Sequence, residues 1–270
     1  MLSRILAHHV NKLSNQSGMF AHTAAQDNSK GEAVVEGAPT NSWAFMDRWF
    51  PHYLSWSRPQ TALFLLSIYL FTAAVPYFVT NQIAAWRDVS LFNPENFIDD
   101  MIPYMPWTIV FYFSFYLYFP VVAWYGSGDG NRRVEGLIFH VYLTLATWMA
   151  CLLFIVTPVK VNLRHQVTID DGLLDPFLKS LYDADPPFNS WPSLHVFQSL
   201  LIVLVIRRWM VQDGKWTRAH SILVGIGWSL LVLSTMGIKQ HYMFDAITGC
   251  VFAMLVWLYL CQPKLNQTEH

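Results

Sequence analysis

Six stretches of the chain are free of Asp, Glu, Lys and Arg, and each is dominated by Phe, Leu, Ile, Val and Trp. A membrane span needs about 20 largely apolar residues to cross roughly 30 Å of hydrocarbon. On that measure the runs predict helices over 61–78, 106–125, 137–156, 193–206, 219–238 and 242–261, the fourth being the shortest. Pro76 and Pro120 fall inside two of them and are expected to kink their helices, which a bundle tolerates. The fold class expected is all-α, a bundle of six transmembrane helices over 60–262, with a short tail over 263–270. Before it, 1–41 is rich in Ser, Asn, Gln, Gly and Ala and reads as a disordered tail. Residues 42–59, with Trp43, Phe45, Trp49, Phe50, Tyr53 and Trp56, read as an amphipathic segment on the membrane surface, with a plain connector as the alternative.

Composition sharpens this picture. Of the 270 residues, 54% are hydrophobic and 13% charged, about half the charge of an ordinary soluble domain. The net charge of −1 leaves no basic field for a nucleic acid. The three Cys (151, 250 and 261) lie in apolar runs and are expected to be buried, unpaired small residues. Basic residues are unequal between the two faces that six spans define: 12 on the side of the termini and 5 on the other. The positive-inside rule then puts the termini in the cytoplasm and the opposite face in a periplasm or lumen. A bacterial inner membrane is the setting expected.

The side with fewer cations carries the candidate chemistry. The connection 158–192 is much longer than ordinary loops, a property more common in functional segments. It ends in Pro-Pro-Phe-Asn-Ser-Trp-Pro-Ser-Leu-His, residues 186–195. Pro192 suits the first turn of a helix, and the free amides of Ser193, Leu194 and His195 would then suit an anion such as phosphate. At the junction before the last span, His241 and Asp245 are four apart and would share a helix face. A carboxylate beside an imidazole holds one ring N–H and frees the other nitrogen to attack. By span count alone, both His-bearing junctions lie on one membrane face, with Lys160, Arg164 and Lys239 nearby in sequence. Lys160, Lys239 and Arg164 have a plainer reading as interfacial residues. His140 reads as a packing residue and His165 as a rim residue. Asp170, Asp171, Asp175, Asp183 and Asp185 lack regular ligand spacing and read as a solvated loop rather than a metal site.

The pair P-S-L-H (192–195) and H-Y-M-F-D (241–245) resembles the second and third signature motifs of the type 2 phosphatidic acid phosphatase superfamily. The run K-Q-H-Y-x-x-D, together with Leu194, is most similar to the branch of inositolphosphorylceramide synthase and related inositolphosphotransferases. The first family motif, K-x6-R-P, is not matched: Lys160 and Arg164 have another spacing and no following Pro. Thr235 stands where the third motif has an arginine.

The resemblance implies six helices and an extracytoplasmic site. It implies that His241 attacks phosphorus to give a phosphohistidine, with Asp245 orienting it. His195 would protonate the leaving oxygen and then activate water or an alcohol, while Lys160, Arg164, Ser193 and Lys239 hold the phosphoryl oxygens. No metal and no cofactor is implied. The partners are a lipid phosphate or diphosphate substrate and membrane lipids, with homo-oligomerisation left open. Head-group transfer is the alternative to hydrolysis, and a transporter or an inactive scaffold are the alternatives of another class.

Overall fold

The computed structural model describes residue 48, residue 50, residues 52–170 and residues 172–268. Residues 1–47, Trp49, Pro51, Asp171 and the last two residues lie outside the described residues, and with them the whole of the tail 1–41 and part of the segment 42–59. Apart from short 3₁₀ turns at Tyr53–Ser55 and Leu163–Gln166, the described residues form eight helices joined by connections: α1 Arg58–Arg87, α2 Phe97–Met101, α3 Pro106–Gly126, α4 Asn131–Val156, α5 Asp175–Ala184, α6 Leu194–Gln212, α7 Arg218–Gly237 and α8 Met243–Asn266. Among the described residues the fold is all helical, and its only β pairing is an isolated parallel bridge between Val159 and Asn189.

Six of the eight (α1, α3, α4, α6, α7 and α8) are long and apolar enough to cross a membrane. They correspond to the six charge-free runs, and this is a multi-pass integral membrane protein. The first span is longer than its charge-free centre: α1 runs from Arg58 to Arg87, flanked by those two cations. It carries a wide turn over Leu70–Ala74 just before Pro76. A wide turn absorbs the carbonyl that a proline would otherwise clash with and leave unpaired. Outward-facing Leu63, Leu70, Phe71 and Phe78 are exposed, as expected when the solvent is hydrocarbon rather than water.

Helix α6 is the central one, packed against α3, α4, α7 and α8. Phe197, Leu201, Ile202, Val205 and Trp209 form its buried spine, joined by Phe139, Leu143 and Phe154 of α4 and Val256 of α8. Two close approaches set this packing. A Cβ on Gly136 of α4 would lie 2.2 Å from the carbonyl oxygen of Gly126 in α3. One on Gly249 of α8 would lie 2.9 Å from the carbonyl oxygen of Ser193. Glycine at both points lets backbones meet, as small residues do in membrane bundles. At the end of the bundle where α8 finishes, buried Glu135 accepts hydrogen bonds from Trp209 Nε1 (2.6 Å) and Thr268 Oγ1 (2.9 Å). Arg133 donates to the carbonyls of Tyr53, Leu54 and Trp56, which ties the segment before α1 to the bundle.

The long connection 158–192 is not without structure. It holds α5, whose Leu178 and Leu181 are buried against Ile109 and Tyr112 of α3 and Ile238. Asp175 accepts from the amides of Asp170 (2.8 Å) and Gly172 (2.7 Å), closing the turn that starts the helix. Asp185 lies directly after the helix and is mostly buried, so it does not belong to a solvated loop.

Candidate functional site

The two histidines meet at one end of the bundle. His195 is the second residue of α6, with its ring against those of Tyr112 (4.5 Å between centroids) and Phe115 (4.6 Å). His241 lies in the turn between α7 and α8, not on a helix. That turn is fixed by capping: the amides of Gln240 and His241 both donate to the carbonyl of Thr235, at 2.9 and 3.2 Å. Lys239 adopts a left-handed backbone (φ 57°) to make this possible. Asp245 Oδ2 accepts from the Tyr242 amide at 2.9 Å and so closes the first turn of α8. Asp245 is fully buried, and His241 and His195 nearly so.

His195 Nδ1 stands 3.2 Å from His241 Nε2. On the other side of its ring, His241 Nδ1 is 3.1 Å from the carbonyl oxygen of Ser190 and 3.6 Å from Asp245 Oδ2. Both of those neighbours are acceptors, so Nδ1 carries the proton. In the neutral ring Nε2 is then unprotonated, and its lone pair accepts from His195 Nδ1–H. The direct orienting hydrogen bond is thus donated by His241 Nδ1–H to a backbone carbonyl of the long connection. Asp245 stands slightly farther away, as a negative charge that favours the imidazolium form.

The remaining sequence candidates divide. Arg164 is brought to the site: Nη2 donates to the Asp185 carbonyl (2.6 Å) and to Gln240 Oε1 (2.8 Å), beside His241 in the chain. Its Nε is buried and bonds to no described residue. Burial holds its pKa below the usual arginine value, with Asp185 pulling the other way. It remains a cation at neutral pH.

Ser193 caps the start of α6 and is fully buried, with Oγ unpaired, but its amide donates to the Asp245 carbonyl (3.2 Å). That amide is therefore not free for an anion, contrary to the expectation from sequence. Pro192 precedes the helix instead of lying in its first turn, and its peptide bond with Trp191 is cis.

The structure does not bring Lys160 and Lys239 into this cluster. Lys160 pairs with Asp88 at 2.7 Å on the surface. Lys239 is fully buried, and its Nζ donates to the carbonyls of Asp99 (3.2 Å) and Ile102 (2.5 Å). Its ammonium thereby closes the C-terminal end of α2. The left-handed turn that presents His241 points the lysine toward α2. Burial lowers its pKa, opposed by Asp99 and Asp100.

Several site neighbours had no motif to mark them. A narrow cleft beside His241 is lined by Tyr77, Asp185, Asn189, Ser190 and Gln240. Asp185 Oδ1 accepts from Tyr77 Oη (2.8 Å) and from Asn81 Nδ2. Burial pushes the Asp185 carboxyl above the usual carboxylate range, against the pull of Tyr77, Arg164 and His241. Side-chain atoms of Asn81, Tyr112, Asn189, Ser193 and Gln240 near this end are buried without a described hydrogen-bond partner. Buried polar groups are seldom left so, and their gathering around two imidazoles and a guanidinium marks a polar binding site. Among the described residues, no group of three or more His, Cys, Asp and Glu is close enough to hold a metal ion.

Six spans with a polar, histidine-bearing cluster at one end define a multi-pass membrane protein. The sequence profile of the PAP2 superfamily matches residues 81–259, about two thirds of the chain, and the chain belongs to that superfamily. No curated protein and no solved structure matches it.

Proposed function

We propose that the protein is a lipid phosphoesterase that works through a phosphohistidine on His241. The observation that carries this reading is the 3.2 Å contact between His241 Nε2 and His195 Nδ1, with Nδ1 of His241 held by acceptors. When His195 Nδ1–H turns to the leaving oxygen of the substrate, the freed Nε2 lone pair of His241 attacks phosphorus. The N–P bond forms as the ester P–O bond breaks, and the leaving oxygen takes the proton from His195 Nδ1. His195 acts as the imidazolium and keeps its Nε2 proton. In the second step a water gives its proton to His195 Nδ1 and its oxygen to phosphorus. The N–P bond breaks and His241 is restored. Arg164, Ser193 Oγ and Gln240 Nε2 are the groups placed to hold phosphoryl oxygens. The substrate is a lipid phosphate or diphosphate, because the cluster lies at the end of an apolar bundle where a head group meets water. Basic-residue asymmetry supports a site on the periplasmic or lumenal face.

Head-group transfer is the second reading. Its supports are the run K-Q-H-Y-x-x-D, similar to inositolphosphotransferases, and an apolar slot that reaches His195. In that case a lipid hydroxyl replaces water in the second step, with the same proton going to His195.

The test is to supply the purified protein with phosphatidic acid, a polyprenyl diphosphate, and phosphatidylinositol with acceptor lipids. Free phosphate and new lipid products are measured against His241→Ala. Phosphate release that the variant lacks supports hydrolysis, and a new acidic lipid without phosphate supports transfer. Equal turnover by wild type and variant on every substrate overturns both.

A further inference from the structure

At the end of the bundle where α8 finishes, an open pocket of about 720 Å³ lies between the start of α1, the turn from α3 into α4, the end of α6 and Thr268. It is remote from the histidine pair. His195 stands at the start of α6, and Gln212, on the pocket wall, ends that helix. At a rise of 1.5 Å per residue the two are about 26 Å apart. The pocket touches two environments. Trp124, on its wall, shares a helix face with Leu117 and Val121, and all three are exposed on a span, where the surroundings are hydrocarbon. Asp129 and Lys215, also on the wall, belong to turns between spans and are exposed to water. A site bounded by both lies at the level of lipid head groups.

Two arginines of this pocket are held on tryptophan rings, Arg58 over Trp124 (4.6 Å to the centroid) and Arg132 over Trp209 (5.3 Å). Arg58 turns one edge of its guanidinium, Nε and Nη2, to the Trp124 carbonyl (3.4 and 3.2 Å). It pairs with no carboxylate among the described residues, so the fork of donors on the Nη1–Nη2 edge is left over. Arg132 Nη2 donates to Asp213 Oδ1 (2.8 Å), while its Nη1 is buried and bonds to no described residue. The acids of the pocket are already engaged. Asp213 meets Arg132 and Lys215, Glu135 accepts from Trp209 and Thr268, and Asp129 stands 3.5 Å from Arg133. Over 124–135, 207–218, 262–268 and Arg58, eight Lys and Arg meet three Asp and Glu, so the surplus charge of this end is positive.

We propose that this pocket binds the phosphodiester head group of an anionic lipid, in the leaflet opposite to the histidine pair, with Arg58 and Arg132 holding its non-bridging oxygens. A guanidinium fork fixed on an aromatic face matches two phosphate oxygens, and basic pockets between membrane helices suit such head groups. A zwitterionic head group would carry its own ammonium into a surplus of positive charge. A soluble anion would leave the lipid-facing wall at Trp124 unused. The lipid is a ligand here and not a substrate, because the imidazoles stand at the other end of α6. By bridging Arg58 and Arg132 it ties the start of α1 to the start of α4.

The test is a binding measurement, which stands or falls apart from the phosphoryl chemistry. Full-length protein, delipidated in a neutral detergent, is titrated with phosphatidylglycerol and separately with phosphatidylcholine of the same chains. Bound lipid is counted by native mass spectrometry. Wild type should bind one phosphatidylglycerol about tenfold more tightly than phosphatidylcholine. Arg58→Gln and Arg132→Gln should each weaken that binding about tenfold, the scale of one hydrogen bond to a charged group. Arg164→Gln, at the histidine end, should leave it unchanged, and a millimolar excess of inorganic phosphate should not displace the lipid. Arg58 is exposed, so its variant decides the matter even where Arg132→Gln does not fold. Equal affinity for the two lipids, an affinity that Arg58→Gln leaves intact, loss of the bound lipid in Arg164→Gln, or its displacement by inorganic phosphate overturns the proposal.

Discussion

Lys239 offers a sharp test, because sequence and structure assign it different work. Two residues before His241, it invites a role in holding phosphate. In the fold its ammonium is spent on the carbonyls of Asp99 and Ile102. Asp99 in turn accepts from the Met243 amide (2.7 Å) at the start of α8, so the lysine links α2 to the turn that carries His241. Lys239→Met keeps most of the packed stem and removes both hydrogen bonds. Hydrogen bonds to charged groups contribute roughly 1.5–3 kcal/mol each. Dehydration of a fully buried ammonium offsets part of the sum, which leaves an expected loss of about 2–4 kcal/mol. Thermal unfolding of the purified variant in detergent should show a clearly lowered midpoint. Turnover measured well below that midpoint should fall no further than the folded fraction does. Unchanged unfolding together with a hundredfold loss of turnover would refute the structural role and restore the lysine to the phosphate site.

The other predictions concern the remaining contacts. Arg164→Gln should cost about a hundredfold or more in turnover, as loss of a transition-state donor typically does. Lys160→Ala, which breaks an exposed pair of small worth, should stay within threefold; a reversed ranking in the same assay would transfer the phosphate-binding role to Lys160. Gly249→Ala places a Cβ 2.9 Å from the Ser193 carbonyl and 3.3 Å from Val196 Cβ. It should cost about 1–3 kcal/mol in unfolding experiments and lower turnover although no reacting group is touched; wild-type behaviour in both would refute the close approach of α6 and α8. Asp185 is held above its unfolded value of 3.8. Between the unfolded and the folded value the unfolded chain binds fewer protons, so wild-type stability falls as pH rises through that window. Asp185→Asn should therefore gain stability relative to wild type as pH goes from about 4 towards 7, and a pH-independent difference in unfolding midpoints would contradict the burial.

The six spans were legible because hydrocarbon imposes a rule on every residue of a span: runs without charge must be long, and these were. The histidine pair was legible because His195 and His241 flank junctions that an even number of crossings returns to one face. What escaped depended on contacts distant in sequence. Asp185 looked like one acid among five in a polar loop, and its place is set by Tyr77 and Asn81 of α1, more than a hundred residues earlier. Helix α5 is amphipathic only through Leu178 and Leu181, a signal too short to stand out in a charged segment, although Asp175-Pro176 is a fair helix start. Lys239 misled because proximity in sequence does not fix direction when the intervening backbone is left-handed. The spacing of four suggests that Asp245 holds one ring N–H of His241. The nearer acceptor is the Ser190 carbonyl, and no residue type advertises a backbone oxygen.

The central claim is that Nε2 of residue 241 takes the phosphoryl group. Rapid quenching of the protein during turnover of a 32P-labelled lipid phosphate, at alkaline pH where a phosphoramidate survives, tests it directly. The account expects acid-labile label on the peptide that contains His241, and none in His241→Ala. Label on a different residue, or an unlabelled protein in which His241→Ala turns over at the wild-type rate, would contradict it.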